Sequence, residues 1–184
     1  MQMQIFRRTG LGLLALGLTL STFALFGCGG SSSNNGTERN AAMFGANERP
    51  TPVNSQGFGT AVLTISEDQT QISYVLTYNG LANVTQSHIH VGDANTAGPI
   101  ILFLCTNIGG APAGAVGAQA CPQGSEVTVT GTLTPIDLIP RDATAATPAV
   151  QSFNDAVTQL FDGNTYTNVH TQANPGGEIR GQNL

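Results

Sequence analysis

The chain predicts an all-β fold: an antiparallel sandwich or barrel of about seven or eight short strands, with one short helix in the C-terminal third. Three observations carry this. Apolar residues recur with period two over most of the chain after residue 41. The alternating runs are short and separated by clusters of Gly, Asn, Asp and Pro. Charged residues are 9% of 184, with 23 glycines and neither lysine nor tryptophan, a composition that leaves no material for a coiled coil or a helical bundle.

The first clear strand spans 59–66, with Ala61, Leu63 and Ile65 on one side. The second spans 71–78, with Ile72, Tyr74, Leu76 and Tyr78 opposed to Ser73, Val75 and Thr77. Between them Glu67-Asp68-Gln69-Thr70 has the length of a hairpin turn. A short strand covers 87–91. The continuous apolar run at 99–105 reads as a strand buried on both faces. Alternation returns at 126–133. Strands at 165–171 and 178–181 flank Ala173-Asn174-Pro175-Gly176-Gly177 and form a final hairpin.

Two helical pieces interrupt the strands. Thr134-Pro135-Ile136-Asp137 offers a capping hydroxyl, a proline at the first helical position and an acid in the first turn, enough for one turn before Pro140. At 151–161, Phe153, Val157 and Leu160 fall at i, i+4 and i+7, and Gly163 stops the helix. These aromatic and aliphatic residues read as core.

Residues 1–27 read as a processing segment. Arg7 and Arg8 precede an apolar run from Leu11 to Phe26, about 16 residues and shorter than the roughly 20 that span a bilayer. The run ends Leu25-Phe26-Gly27-Cys28, which resembles the lipobox of bacterial lipoprotein signal peptides. The resemblance implies cleavage before Cys28, its lipidation, and anchoring of an exported protein to the cell envelope. Gly29 after Cys28 resembles the pattern of lipoproteins sorted to the outer membrane of Gram-negative bacteria. From residue 29 to residue 40 no apolar residue occurs, so 28–40 reads as a lipidated cysteine and flexible tether with a reach of about 20 Å, and 41–184 as the β-domain. Removing 1–27 leaves four arginines against eleven acids, a net charge of 4 − 11 = −7. That balance excludes nucleic acid as a partner. Contact with the membrane then depends on the anchor, not on charge.

Cys105 and Cys121 remain. An exported chain permits a disulfide between them, and the glycine- and alanine-rich stretch they enclose gains from a staple. Two free thiols serving as metal or redox ligands are the alternative, disfavoured by the lack of a Cys-x-x-Cys pair.

Four segments follow one known pattern: Phe44-Gly45-Ala46-Asn47-Glu48-Arg49-Pro50-Thr51-Pro52, Ser87-His88-Ile89-His90, Ala97-Gly98-Pro99-Ile100, and Tyr166 to Thr171 running on through Asn174-Pro175-Gly176-Gly177-Glu178-Ile179-Arg180-Gly181-Gln182. Together they resemble the CHRD domain, named after chordin. The resemblance implies an immunoglobulin-like β-barrel from residue 41 to the C-terminus. In bacterial exported proteins it implies no settled activity, and in chordin the domain belongs to an extracellular growth-factor antagonist. The long 105–121 insertion and Arg49, where the family commonly has a hydrophobic residue, depart from the pattern.

All three histidines lie in these segments. If Ile89, Val169 and Ile179 face the core, strand parity turns His88, His90, Asn168, His170, Glu178 and Arg180 to the other face. His-x-His on a strand offers two imidazoles to one metal ion, with His170 as a third ligand and copper or zinc as the suited ions. The pair resembles the His-x-His of copper/zinc superoxide dismutases, an analogy of fold alone. The competing reading is a satisfied polar network of the histidines with Asn168, Glu178 and Arg180 that pins strand order. Asp93 and Asn95 are candidate oxygen ligands or simply turn residues. No Gly-x-Ser-x-Gly, phosphate-binding loop or His-Glu-x-x-His occurs. The expectation is therefore a non-catalytic module binding a protein or a surface polymer, with metal binding as the alternative.

Overall fold

The computed structural model describes residues 37–109, 115 and 117–184. Cys28, the leader and the tether up to residue 36 lie outside the described residues, as does most of 110–116. No helix among the described residues is long and apolar enough to cross a membrane.

The strands are β1 (Glu38–Phe44), β2 (Phe58–Ile65), β3 (Ile72–Asn79), β4 (Val84–Val91), β5 (Ile100–Thr106), β6 (Glu126–Leu133), β7 (Thr165–Thr171) and β8 (Ile179–Gln182), with one helix, α1 (Phe153–Phe161). They form a single sheet in the order β5-β4-β7-β8-β1-β2-β3-β6. Every pairing is antiparallel. The sheet curls into a nearly closed barrel, as the period-two pattern predicts. Its two edges, β5 and β6, are bridged by the segment that follows β5. Thr106 N donates to Gln119 O at 2.8 Å, and Gln119 Nε2 donates to Thr130 O on β6 at 2.7 Å. Cys105 and Cys121 form a disulfide and are both buried, so this bridging segment is pinned to β5.

The two halves of the barrel differ in what covers them. On β2 and β3, Ala61, Leu63, Ile65, Ile72, Tyr74, Leu76 and Tyr78 are buried and their neighbours Thr60, Thr64, Ser73 and Val75 are exposed. This is the alternation of a sheet with one wet face. On β4, β5, β7 and β8 almost every residue is buried. Their inner side chains, among them Ile89, Leu102, Val169 and Ile179, join the main core. Their outer face is covered in turn. Phe103, Ile139 and Ala115 pack in a second cluster with Ile100 and Ala118, and the 139–150 segment is tied down by Ile139 N to Ile101 O at 2.9 Å and Arg141 Nε to Ile100 O at 2.7 Å. Register shifts flank His88 and His90 on the β5 side of β4, which lets the continuous apolar run of β5 serve both clusters.

α1 feeds Phe153, Ala156, Val157 and Leu160 into the main core. It starts at Phe153, two residues later than the sequence predicts. The Asp155 carboxylate accepts from the backbone N–H of Gln151 and of Ser152, and Ser152 Oγ accepts from Asp155 N, a capping box that fixes the first turn. The Thr134 segment forms the expected single turn, capped by the Asp137 carboxylate.

The domain boundary moves. Residues 38–40, expected in the tether, belong to β1, where Asn40 and Leu184 exchange two backbone hydrogen bonds of 2.8 and 3.0 Å. This stretch carries no apolar signal because its long side chain works on the surface: Arg39 Nε donates to Leu160 O at 3.1 Å and its guanidinium lies 4.9 Å from the Phe161 ring centroid, closing the C-terminal turn of α1. The last hairpin begins β8 at Ile179 and not at Glu178.

Candidate metal centre

The site is built on the covered outer face of β4, β7 and β8. Ile89 and Val169 point to the main core, so their neighbours point the other way. Register then sets the rows. Phe103 of β5, His88 of β4, Asn168 of β7 and Arg180 of β8 stand side by side. His90, Tyr166 and Gln182 form the next row, and Gln86 pairs with His170 on the other flank. One nitrogen from each of His88, His90 and His170 lies within 4.8 Å of the other two. All three rings are buried, His88 to 1% exposure.

Backbone carbonyls fix two tautomers. His90 Nδ1 donates to Gly98 O at 2.8 Å, and His170 Nδ1 donates to Pro175 O at 2.9 Å. A neutral ring has one proton, so Nε2 of each is a bare lone pair. His170 Nε2 accepts from His88 Nδ1 at 3.0 Å, which leaves His88 Nε2 bare as well. Neither His88 Nε2 nor His90 Nε2 makes a hydrogen bond of good geometry, although both are sealed from water; Asn168 is close enough to His90 only to favour its charged form against burial. His170 Nε2 also lies 3.0 Å from Asn168 Oδ1, two acceptors face to face, a contact relieved by a cation or by half-rotation of the amide.

The rings are held neutral. Burial pushes His88 down to about 2, helped by the charges of His170 and His90. Burial likewise takes His90 down to about 3, against the opposing hydrogen bond to Gly98. His170 is lowered by burial too, with its Pro175 bond working the other way. Neutral imidazole is the ligating form.

Several supports explain the short motifs. A Cβ on Gly98 would sit 1.6 Å from Val91 O, so only glycine lets this segment lie against β4 and bring its carbonyl to His90. Tyr166 stacks on His90 at 4.6 Å and bonds to Gly98 through its hydroxyl. Arg180 lies 3.4 Å over the other side of the Tyr166 ring.

The expected residues divide. His88, His90, His170, Asn168 and Arg180 come together. Glu178 does not join them: its carboxylate takes hydrogen bonds from Ser55 and Thr171 on the hairpin. Burial pushes Glu178 up, but the bonds from Thr171, Ser55 and Asn174 outweigh it and hold it below its ordinary value. The carboxylate beside Arg180 is Glu48, which sequence reasoning missed because the loop that carries it has no period. Glu48 is buried, and burial raises it to about 7 against the pull of Arg180, Arg49 and a hydrogen bond to Asn168. The only signal for it was its place inside the Phe44–Pro52 motif. Asp93 is a turn residue, accepting from Asn95 N and Thr96 Oγ1.

A family model, the CHRD domain, matches residues 39–183. The chain belongs to the CHRD domain family. The match opens within β1, in agreement with the strand that starts at Glu38. No curated protein and no solved structure was found to match. In this CHRD domain the motif residues that carried the resemblance are those that build the buried histidine face, while the threonine-bearing face of β2 and β3 lies outside the motifs.

Proposed function

We propose that the chain is an exported, lipid-anchored CHRD-domain protein whose domain binds one copper or zinc ion through His88, His90 and His170 and performs no catalysis. One observation carries the metal reading: ring nitrogens of His88 and His90 are buried without a hydrogen bond in a trio of histidines that offers one nitrogen each within 4.8 Å of one another. A purely structural network satisfies its buried polar atoms, because an orphan costs about 1–3 kcal/mol. A metal-ligating histidine donates its second nitrogen to a backbone carbonyl or carboxylate, which His90 and His170 both do. The ligand nitrogens lie within 4.8 Å of one another, whereas two nitrogens bound to one ion at 2.0–2.1 Å stand at most about 4.2 Å apart, so binding asks the rings to close in slightly. Three neutral nitrogens without thiolate suit zinc or copper.

The anchor reading rests on the sequence: an apolar run that follows Arg7 and Arg8 and closes on Gly27-Cys28. It puts the domain on the envelope, the outer membrane being the favoured surface.

The test is metal analysis of the full-length protein purified without a histidine tag. One equivalent of bound zinc or copper is expected, lost in His90→Ala while far-ultraviolet circular dichroism is retained. A protein that takes up no stoichiometric metal from micromolar zinc or copper overturns the reading.

A further inference from the structure

A second polar feature lies on the other side of Arg180 and stands apart from the metal reading. A cleft of about 480 Å³ is lined by Asn40 and Ala42 of β1, Asn47, Arg49, Ala94, Arg180 and Gln182 of β8, and Leu184. That size is within the range of small-molecule sites. Two of the four arginines among the described residues line it, and no acidic side chain does. Glu48, whose buried carboxylate interacts with Arg180 and Arg49, stays outside the lining, and burial raises it to about 7, so it offsets their charge only in part.

The hydrogen-bond inventory of the lining is incomplete in a specific way. Arg180 is 1% exposed. Its Nη2 donates to Asp93 O at 2.7 Å, while Nη1 has no partner. Gln182 Nε2 donates to Gly92 O at 2.9 Å and Gly163 O at 2.8 Å, while Oε1 has no partner. Arg49 is anchored by Nη1 to Glu48 O at 2.8 Å and Ala46 O at 3.2 Å, and Asn47 Nδ2 to Arg180 O at 3.0 Å. The cleft is therefore held in shape by its own backbone contacts, with one donor and one acceptor left over. Both leftover atoms belong to side chains that line the cleft.

The ligand must answer both. A guanidinium pair calls for a carboxylate. The Gln182 oxygen calls for a donor, which a carboxylate lacks. An ammonium donor is repelled by two arginines; a hydroxyl is not. Ala42, Ala94 and Leu184 add an apolar wall against which the C–H face of a sugar ring packs. We infer that this cleft binds an acidic sugar, a uronate carried by a surface polysaccharide, with its carboxylate on Arg180 and Arg49 and a ring hydroxyl on Gln182.

The test is calorimetric titration of the full-length protein with D-glucuronate, with D-glucose and acetate as controls. Glucuronate is expected to bind at least about tenfold more tightly than either control, since each lacks one of the two matched groups. Ala94→Glu, at an exposed position, puts a carboxylate into the cleft, and Arg49→Gln removes one guanidinium. Each is expected to weaken glucuronate by about tenfold or more, Ala94→Glu while thermal unfolding stays unchanged. Glucuronate binding no better than acetate or glucose, or binding indifferent to both substitutions, overturns the inference. Added zinc does not enter the assay, so its outcome is separate from that of the histidine site.

Discussion

Replacing His88 with leucine separates a metal site from a structural network, because the two predict losses of different size in metal-free protein and different responses to metal. His88 makes one side-chain hydrogen bond, through Nδ1 to His170 Nε2, and its Nε2 makes none. Losing the bond costs about 1 kcal/mol, and the orphan removed at His88 Nε2, worth about 1–3 kcal/mol, is offset by the one created at His170 Nε2. Leucine has a similar volume and meets Phe103, whose ring lies 4.3 Å from the imidazole at 80°. The loss of that edge contact costs about 0.5–1.5 kcal/mol. The sum for His88→Leu in EDTA is a loss of about 1.5–2.5 kcal/mol. With zinc at about one hundred times its dissociation constant, the wild type gains about 2.7 kcal/mol, a rise in midpoint of about 5–10 °C for a domain of this size. The variant gains little. Thermal unfolding by circular dichroism with EDTA, zinc and copper measures both arms. A variant that loses more than about 3 kcal/mol in EDTA, together with a wild type indifferent to both metals, refutes the reasoning and leaves the histidines as a strand-ordering network.

The remaining predictions follow from the same contacts. Acidification of EDTA-treated protein lowers stability from about pH 6.5 downward, because three histidines with depressed values take up protons on unfolding. Glu48, raised to about 7, acts in the opposite sense, stabilising below its unfolded value near 4.5 and losing that contribution as pH rises through 7. His88 and His90 against Glu48 leave a slope of about 1 kcal/mol per pH unit near pH 5.5, to which His170 adds in the same sense, and urea midpoints that stay flat between pH 5 and 6.5 contradict it. Gly177→Ala destabilises by about 2 kcal/mol or more, since φ is +124° and the new Cβ would lie 2.4 Å from Glu48 Oε1; guanidinium unfolding reads the loss. Reducing the Cys105–Cys121 disulfide, which spans 16 residues, lowers stability by about 3 kcal/mol through loop entropy, measured by unfolding with and without reductant. Apart from those contacts, the proposed lipid anchor predicts that Cys28→Ser abolishes incorporation of labelled palmitate and moves the protein from the membrane fraction to the soluble fraction.

The sequence showed the fold where one face of a strand is wet. In β2, β3 and β6 the outward threonines and inward aliphatics make the period visible, and the bounds read from it fall within one residue of those observed. It was silent at β1, whose first three residues are polar because Arg39 covers the end of α1 from outside. Glu178 was misplaced for a related reason. Parity holds only within a strand, and Glu178 sits one residue before β8, where the hairpin turns its carboxylate to Ser55 and Thr171.

The candidate site was legible in its ligands but not in its environment. Period two turned His88, His90 and His170 away from Ile89 and Val169, yet it does not say whether the second face meets water. Here it meets Phe103, Tyr166 and the backbone at Gly98 and Pro175, and the consequence is chemical. On a wet face the three imidazoles would titrate near 6.5, solvate their free nitrogens and need no partner. Enclosed, they are held neutral and two lone pairs lose water without gaining a donor. The cover is what turns a solvated histidine trio into one with an unmet demand for a Lewis acid. It follows that opening the cover weakens the metal reading's driving force without touching a ligand. Phe103→Ser, which admits water to His88 Nε2, should lower zinc-induced stabilisation by more than it lowers the stability of the metal-free protein.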